Sequence, residues 1–77
     1  MDPIVIKEDN QKVKYIKLAI KALPKDANGY VDCMNVGKYL HKKNVQIVGK
    51  ITSIITKYED LFDSKILHSK IFLYKST

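Results

Sequence analysis

Fourteen lysines, with no arginine beside them, carry all the permanent positive charge of this 77-residue chain. They outnumber the eight carboxylate residues, so the formal net charge is +6 and the pI is near 9.5. Lys14, Lys17 and Lys21 recur at intervals of three and four. Lys42 and Lys43 follow His41, with Lys50 a little further on, and Lys65, Lys70 and Lys75 punctuate the C-terminal stretch. An ammonium is a mobile point charge and lacks the planar fork with which arginine grips guanine or phosphate. The chemistry on offer is therefore attraction of polyanions with weak sequence discrimination. A solvated lysine coat, or the Lys-, Ile-, Asn- and Tyr-rich usage of an AT-rich genome, accounts for the same composition without any binding role.

Other reactive residue types are sparse. His41, His68 and Cys33 are the soft ligand candidates, and they lie far apart without the paired spacing of a zinc site. No metal and no other cofactor is expected. Glu59, Asp60 and Asp63 form a small acidic cluster at an expected helix end and strand start, a solvated rim rather than an acid–base pair. No Ser-His-Asp or Cys-His set is legible, and three separated glycines make no phosphate-cradling loop. No catalytic residue is assigned and the chain is not read as an enzyme. The single cysteine fits a reducing compartment. No apolar run approaches a membrane span and no signal peptide is visible. The expectation is an intracellular protein, cytoplasmic rather than nuclear, with no membrane partner.

These charges need elements to position them. Residues 1–9 read as an N-terminal arm: Pro3 disfavours a helix start and Ile4-Val5-Ile6 is β-prone. The arm could pack along the domain, pair with an edge strand or stay loose. Asp9 or Asn10 is the N-cap candidate for a first helix over Gln11–Leu23, with Val13, Ile16, Ala19, Ile20 and Leu23 on its inner face. Pro24 stops that helix, and residues 25–29 form a turn by composition. Tyr30-Val31 leaves room for a short strand. Asp32 then caps a second helix, Cys33–Lys43, turning Val36, Gly37 and Leu40 inward, with Gly37 read as a point of close helix approach. The stretch Val45–Asp60 reads as a third helix. Ile47, Ile51, Ile54, Ile55 and Tyr58 mark its core side; Lys50, Thr52, Ser53, Thr56 and Lys57 mark a polar, mostly small outer side. Leu61–Ser64 and Ile66–Tyr74 read as a hairpin turning near Leu67-His68-Ser69.

The resulting order is helix, short strand, helix, helix, strand, strand. That is the order of an α+β winged helix-turn-helix, three helices followed by a C-terminal β-hairpin wing, here a single domain over residues 10–77. From Tyr15 to Lys75 the chain also resembles a LOTUS (OST-HTH) domain. The resemblance lies in YIKLAIKAL, NGYVDCMNVGKYLHKK, ITSIITKYEDLFD and IFLYK, and is best in the block ending Tyr58-Glu59-Asp60-Leu61-Phe62. The connection Asn44–Gly49 is shorter than the family's usual one. What the resemblance implies is an RNA-linked winged helix, often with a liking for G-rich or structured RNA.

The leading expectation is a nucleic-acid partner, RNA favoured over DNA, met by Lys42, Lys43, Lys50, Thr52, Ser53, Lys65 and Lys70. The acidic cluster would repel phosphate from the far end of the third helix, which directs contact to its N-terminal half. The competing expectation is a protein-interaction or homodimerisation module that uses Ile4, Ile6, Phe72 and Tyr74 as outward apolar residues. A sequence-weak DNA binder is a further alternative.

Overall fold

The computed structural model describes residues 2–68 and 70–76. Its elements run β1 (Ile4–Ile6), α1 (Asp9–Ala22), β2 (Val31–Asp32), α2 (Cys33–Lys42), β3 (Val45–Ile47), α3 (Ile51–Lys57), β4 (Phe62–Leu67) and β5 (Ile71–Ser76). Three helices and short strands make a small α+β domain compatible with the winged-helix class. Among the described residues no helix is long and apolar enough to cross a membrane.

Helix α1 is the central element. Ile16, Ala19 and Ile20 recur on one face and are buried, with Val13 and Leu23 half-buried beside them. The helix starts at Asp9 rather than Gln11. Glu8 occupies the N-cap position without a side-chain cap bond, and the Asn10 side chain accepts from the Gln11 N–H instead. Pro24 ends the helix: it forces Leu23 into extended backbone, ψ 151°. In the following turn the Asp26 carboxylate accepts from the N–H groups of Asn28 and Tyr30, and Gly29 takes the left-handed φ of 86° that the reversal needs. These bonds deliver the chain into β2.

Helix α2 is set up as its sequence indicates. The Asp32 carboxylate accepts from the Met34 N–H at 2.8 Å, and Val36 and Leu40 are buried. Gly37 departs from expectation. A methyl built on it meets nothing within 4 Å, so no neighbouring helix approaches closely there.

The region after α2 is the largest departure. The expected helix over Val45–Asp60 shrinks to Ile51–Lys57, because Val45–Ile47 is taken by a strand. That strand pairs in parallel with the arm, Ile4 opposite Val45 and Ile6 opposite Ile47. Bonds from Ile4 N–H to Asn44 C=O (2.8 Å) and from Val48 N–H to Ile6 C=O (3.0 Å) close the ladder at its two ends. Ile6 and Val45 enter the core; Val5 alternates to the opposite face, and Ile4, on the same side as Ile6 but at the start of the strand, stays exposed. Of the two arm residues expected to point outward, only Ile4 does. Gly49, φ 92°, turns the chain out of β3 toward α3.

The second sheet runs β2-β5-β4, antiparallel throughout. Its hairpin is shifted from the expected one, with β4 extending to Leu67 and β5 running Ile71–Ser76; Ser69, expected in the turn, lies outside the described residues. Ser64 and Val31 flank Tyr74 in the ladder, which places Tyr74 mid-sheet facing the helices. Tyr74 is 2% exposed, so it is a core residue and not an outward one. Its hydroxyl has no oxygen or nitrogen partner among the described residues. Burial pushes its pKa up, and the neighbouring Cys33 thiol reinforces the rise.

Two stability measurements check this packing. In urea titrations, Ile6→Ala costs about 2–4 kcal/mol, as for a core truncation, whereas Ile4→Ala stays within about 0.5 kcal/mol of the parent. Gly37→Ala raises stability by roughly 0.4–1 kcal/mol, since it gains helix propensity without a clash.

Candidate nucleic-acid interface

Helix α3 is seven residues long, under two turns, and needs outside support to hold its orientation. Ile54 and Ile55 anchor it in the core. A polar clamp completes the anchorage. The Asp9 carboxylate, at the start of α1, accepts from the Lys57 ammonium at 2.6 Å and from the Tyr58 hydroxyl at 2.9 Å. Lys12 stands 4.0 Å from the other carboxylate oxygen, and its ammonium lies within 3.9 Å of where a side chain on Gly49 would begin. The Lys57 and Tyr58 bonds hold the Asp9 carboxyl below its ordinary pKa, and the bond from Asp9 pushes Lys57 and Tyr58 up.

With α3 fixed, its outer residues face the hairpin across a cleft of about 460 Å³. Thr52, Ile55 and Thr56 line the helix side; Ser64, Lys65, Ile66, Phe72 and Tyr74 line the hairpin side. Among the described residues no carboxylate lines it. The Thr56 hydroxyl donates to the Thr52 carbonyl at 2.9 Å, leaving the oxygen free to accept. Ile66 and Phe72 are exposed, so this wall is an apolar surface with an aromatic face, rimmed by hydroxyls and one lysine.

The structure sorts the sequence-derived residues unevenly. Thr52 and Lys65 share the cleft, and Ser53 is exposed on α3 beside it. Lys65 does not aim at α3, however: its ammonium stands 4.3 Å from the centre of the Tyr30 ring, a cation–π contact. Lys50 occupies the N-cap position of α3 and is exposed, and Lys70 is exposed at the hairpin turn. Lys42 and Lys43 are exposed at the end of α2. Lys42 shares a shallow depression with Tyr39, Lys38 and the α1 end at Leu23-Pro24, and Lys43 lies 5.7 Å from the Tyr39 ring. The basic residues of α2 and those of the hairpin thus belong to separate surface features. Glu59, Asp60 and Asp63 are exposed beyond α3, on the side away from Lys50 along the chain. Cys33 and His41 lie at opposite ends of α2 and His68 in the hairpin turn, and no group of three metal-ligand residues converges among the described residues.

Sequence reasoning missed two features. Lys57 and Lys12 are structural, because each finds Asp9 across a long chain separation or along α1; only the recurrence of Asp9 and Lys12 at helical spacing was visible beforehand. Of the hairpin residues the sequence marks as outward apolar, Phe72 and Tyr74, only Phe72 is exposed, and Ile66, Leu67 and Ile71 are exposed with it. Comparison of the chain with protein-family models, with curated proteins and with solved structures finds no match.

The Asp9 clamp has a pH signature. A carboxyl whose folded pKa is depressed contributes stability above its unfolded value of 3.8, and that contribution is lost as the pH falls through the lower, folded value. Lys57 and Tyr58, raised in the fold, contribute fully below their unfolded values of 10.5 and 10.0 and lose that contribution as the pH rises through the folded ones. Thermal melts across pH should therefore show Asp9→Asn destabilised at neutral pH, with the gap to the parent closing on acidification below pH 3.8. A gap that persists unchanged in acid would mean that the carboxylate charge is not what holds α3.

Proposed function

We propose that this chain is a LOTUS-like winged-helix module that binds nucleic acid, RNA in preference to DNA, at the cleft between α3 and the β4–β5 hairpin. The observation that carries the reading is the make-up of that cleft. Hydroxyls and the stem of Lys65, whose ammonium turns to Tyr30, border an exposed Phe72 and Ile66, and among the described residues no carboxylate intrudes. A single-stranded or splayed base stacks on an aromatic face, while flanking hydroxyls and ammoniums take sugar and phosphate. Lys50, Lys70, Lys42 and Lys43, all exposed, supply the longer-range field. Lys57 is excluded from this role because Asp9 already neutralises it. A surplus of +6, delivered through lysine alone, favours backbone contact over base readout.

Fluorescence-anisotropy titrations with single-stranded RNA, G-rich structured RNA, duplex RNA and duplex DNA test the proposal. Binding should weaken with salt along a log–log slope of roughly −3 to −5, corresponding to about four to six phosphate contacts. Phe72→Ala should weaken single-stranded RNA about tenfold, the loss of one stacked base. Lys50→Glu, or Lys42→Glu with Lys43→Glu, should reduce binding to every nucleic acid while leaving the thermal melt intact. An absence of binding at low salt rules the proposal out.

One observation favours a second reading. Ile66, Leu67, Ile71 and Phe72 are 57, 42, 37 and 42% exposed, and together they make the distal half of the hairpin apolar. Ile66 and Phe72 face one side of the hairpin and Leu67 and Ile71 the other; an apolar tip of this kind suits docking to a protein or a second copy of the chain. Light scattering would then report a mass above that of the monomer, reduced by Ile66→Ser with Ile71→Ser. Removing residues 1–9 would not discriminate, because the arm supplies core residue Ile6.

A further inference from the structure

A second cavity, about 590 Å³, is remote from the α3 cleft and shares no described lining residue with it. It is an open groove between the outer side of α1 and the end of β5. Lys14, Leu18, Lys21 and Lys25 follow one another along α1 and just beyond at spacings of four, three and four, with Lys17 beside them and Lys75 across the groove. Those spacings put Lys14, Leu18 and Lys21 on one helical stripe, and Lys25 continues it past the helix end. Leu18 is 49% exposed in the middle of it.

Three of the lysines around this groove, Lys17, Lys25 and Lys75, meet neutral partners. The Lys25 ammonium donates to the carbonyls of Lys21 and Leu23 at 2.9 Å, closing the end of α1. Lys75 is 3.5 Å from the Asn28 carbonyl and 5.8 Å from the Tyr30 ring centre, and Lys17 is 5.9 Å from the centre of Phe62. Among the described residues none of the five lysines lies within ion-pair distance of a carboxylate, the ion pairs there being those of Asp9 with Lys12 and Lys57. Among the described residues the groove therefore combines a positive rim without an ion-pair partner and an apolar floor.

We propose that this groove docks an acidic amphipathic helix of a partner protein. The occupant must carry negative charge at its margins and an apolar stripe between them. From Lys14 to Lys21 the rim extends roughly 10 Å along α1, about two turns, and so spreads its charge over several anionic groups. A single carboxylate on an apolar tail would leave most of the rim unmatched. A polyphosphate backbone would match the rim but leave Leu18 uncovered. A helix with leucines at i, i+3, i+4 and i+7, flanked by glutamates, satisfies both at once.

The test uses the full chain and a fluorescein-labelled synthetic peptide of that design. A scrambled peptide of equal composition, vesicles of phosphatidylserine and single-stranded RNA serve as comparisons. The patterned peptide should bind saturably and tighter than about 1 mM, the weak end of measurable association. Its affinity should fall about tenfold or more in Lys14→Glu/Lys21→Glu and in Leu18→Ser, and should be unchanged in Lys50→Glu. On the unmodified protein, the peptide should shift the amide NMR signals of residues 14–25 and Lys75, and not those of Ser53 and Thr56, which gives a readout free of any variant's folding. Absence of saturable binding overturns the proposal. So does equal binding of the scrambled peptide, which would reduce the groove to unspecific charge. Capture of vesicles or RNA by these same residues without peptide binding would reassign the groove to a headgroup surface or to nucleic acid.

Discussion

The parallel ladder between Ile4–Ile6 and Val45–Ile47 is the constraint on which the position of α3 depends. Two three-residue strands bond to each other across most of the chain and fix the exit of α2 against the entry of α1. Isolated, such a pair would be too short to persist. It holds because Ile6 and Val45 are buried in the same core as Ile16, Val36 and Leu40. The ladder removes Val45–Ile47 from any helix, so α3 is left with only the segment that begins after Gly49. A short α3 then presents few side chains, and the surface it offers is completed by the hairpin.

The Asp9 clamp acts on the other end of α3. The carboxylate sits in the first turn of α1, where the helix dipole favours it, and takes hydrogen bonds from Lys57 and Tyr58. One residue thus joins the start of the first helix to the end of the third. The ladder and the clamp both begin in the first nine residues, so the segment that reads as an arm fixes α3 from both sides.

Lysine serves several purposes in this chain, and its surroundings decide which. Lys12 and Lys57 are committed to Asp9, and Lys25 to helix carbonyls. Lys65 and Lys43 lean on tyrosine rings. Lys14, Lys21, Lys42, Lys50 and Lys70 keep exposed charge available to a ligand. Net charge alone overstates the binding surface for this reason. The exposed charge is also divided between the α1 groove and the surfaces around α2, α3 and the hairpin, which the fold keeps apart.

Local chemistry in the sequence determined a good part of this. The period of Ile16, Ala19 and Ile20, the stop at Pro24, the Asp32 cap, the turn at Asp26–Gly29 and the alternation of the hairpin each act within a few residues, and the first two helices and the hairpin follow from them. The exposure of Ser53 on α3 and of Lys50 at its N-cap follows from the same local pattern. What only the tertiary structure decided depends on partners distant in the chain. Val45–Ile47 is apolar in a way that suits helix or strand equally, and its pairing with Ile4–Ile6 makes it a strand. Tyr74 and Ile6 could face either way on a strand whose register is set by its neighbour, and the core takes both. Lys57 and Lys65 look alike as exposed cations until Asp9 and Tyr30 come within reach. A sequence window carries propensity, but burial and pairing belong to contacts between windows, and those exist only once the chain has folded.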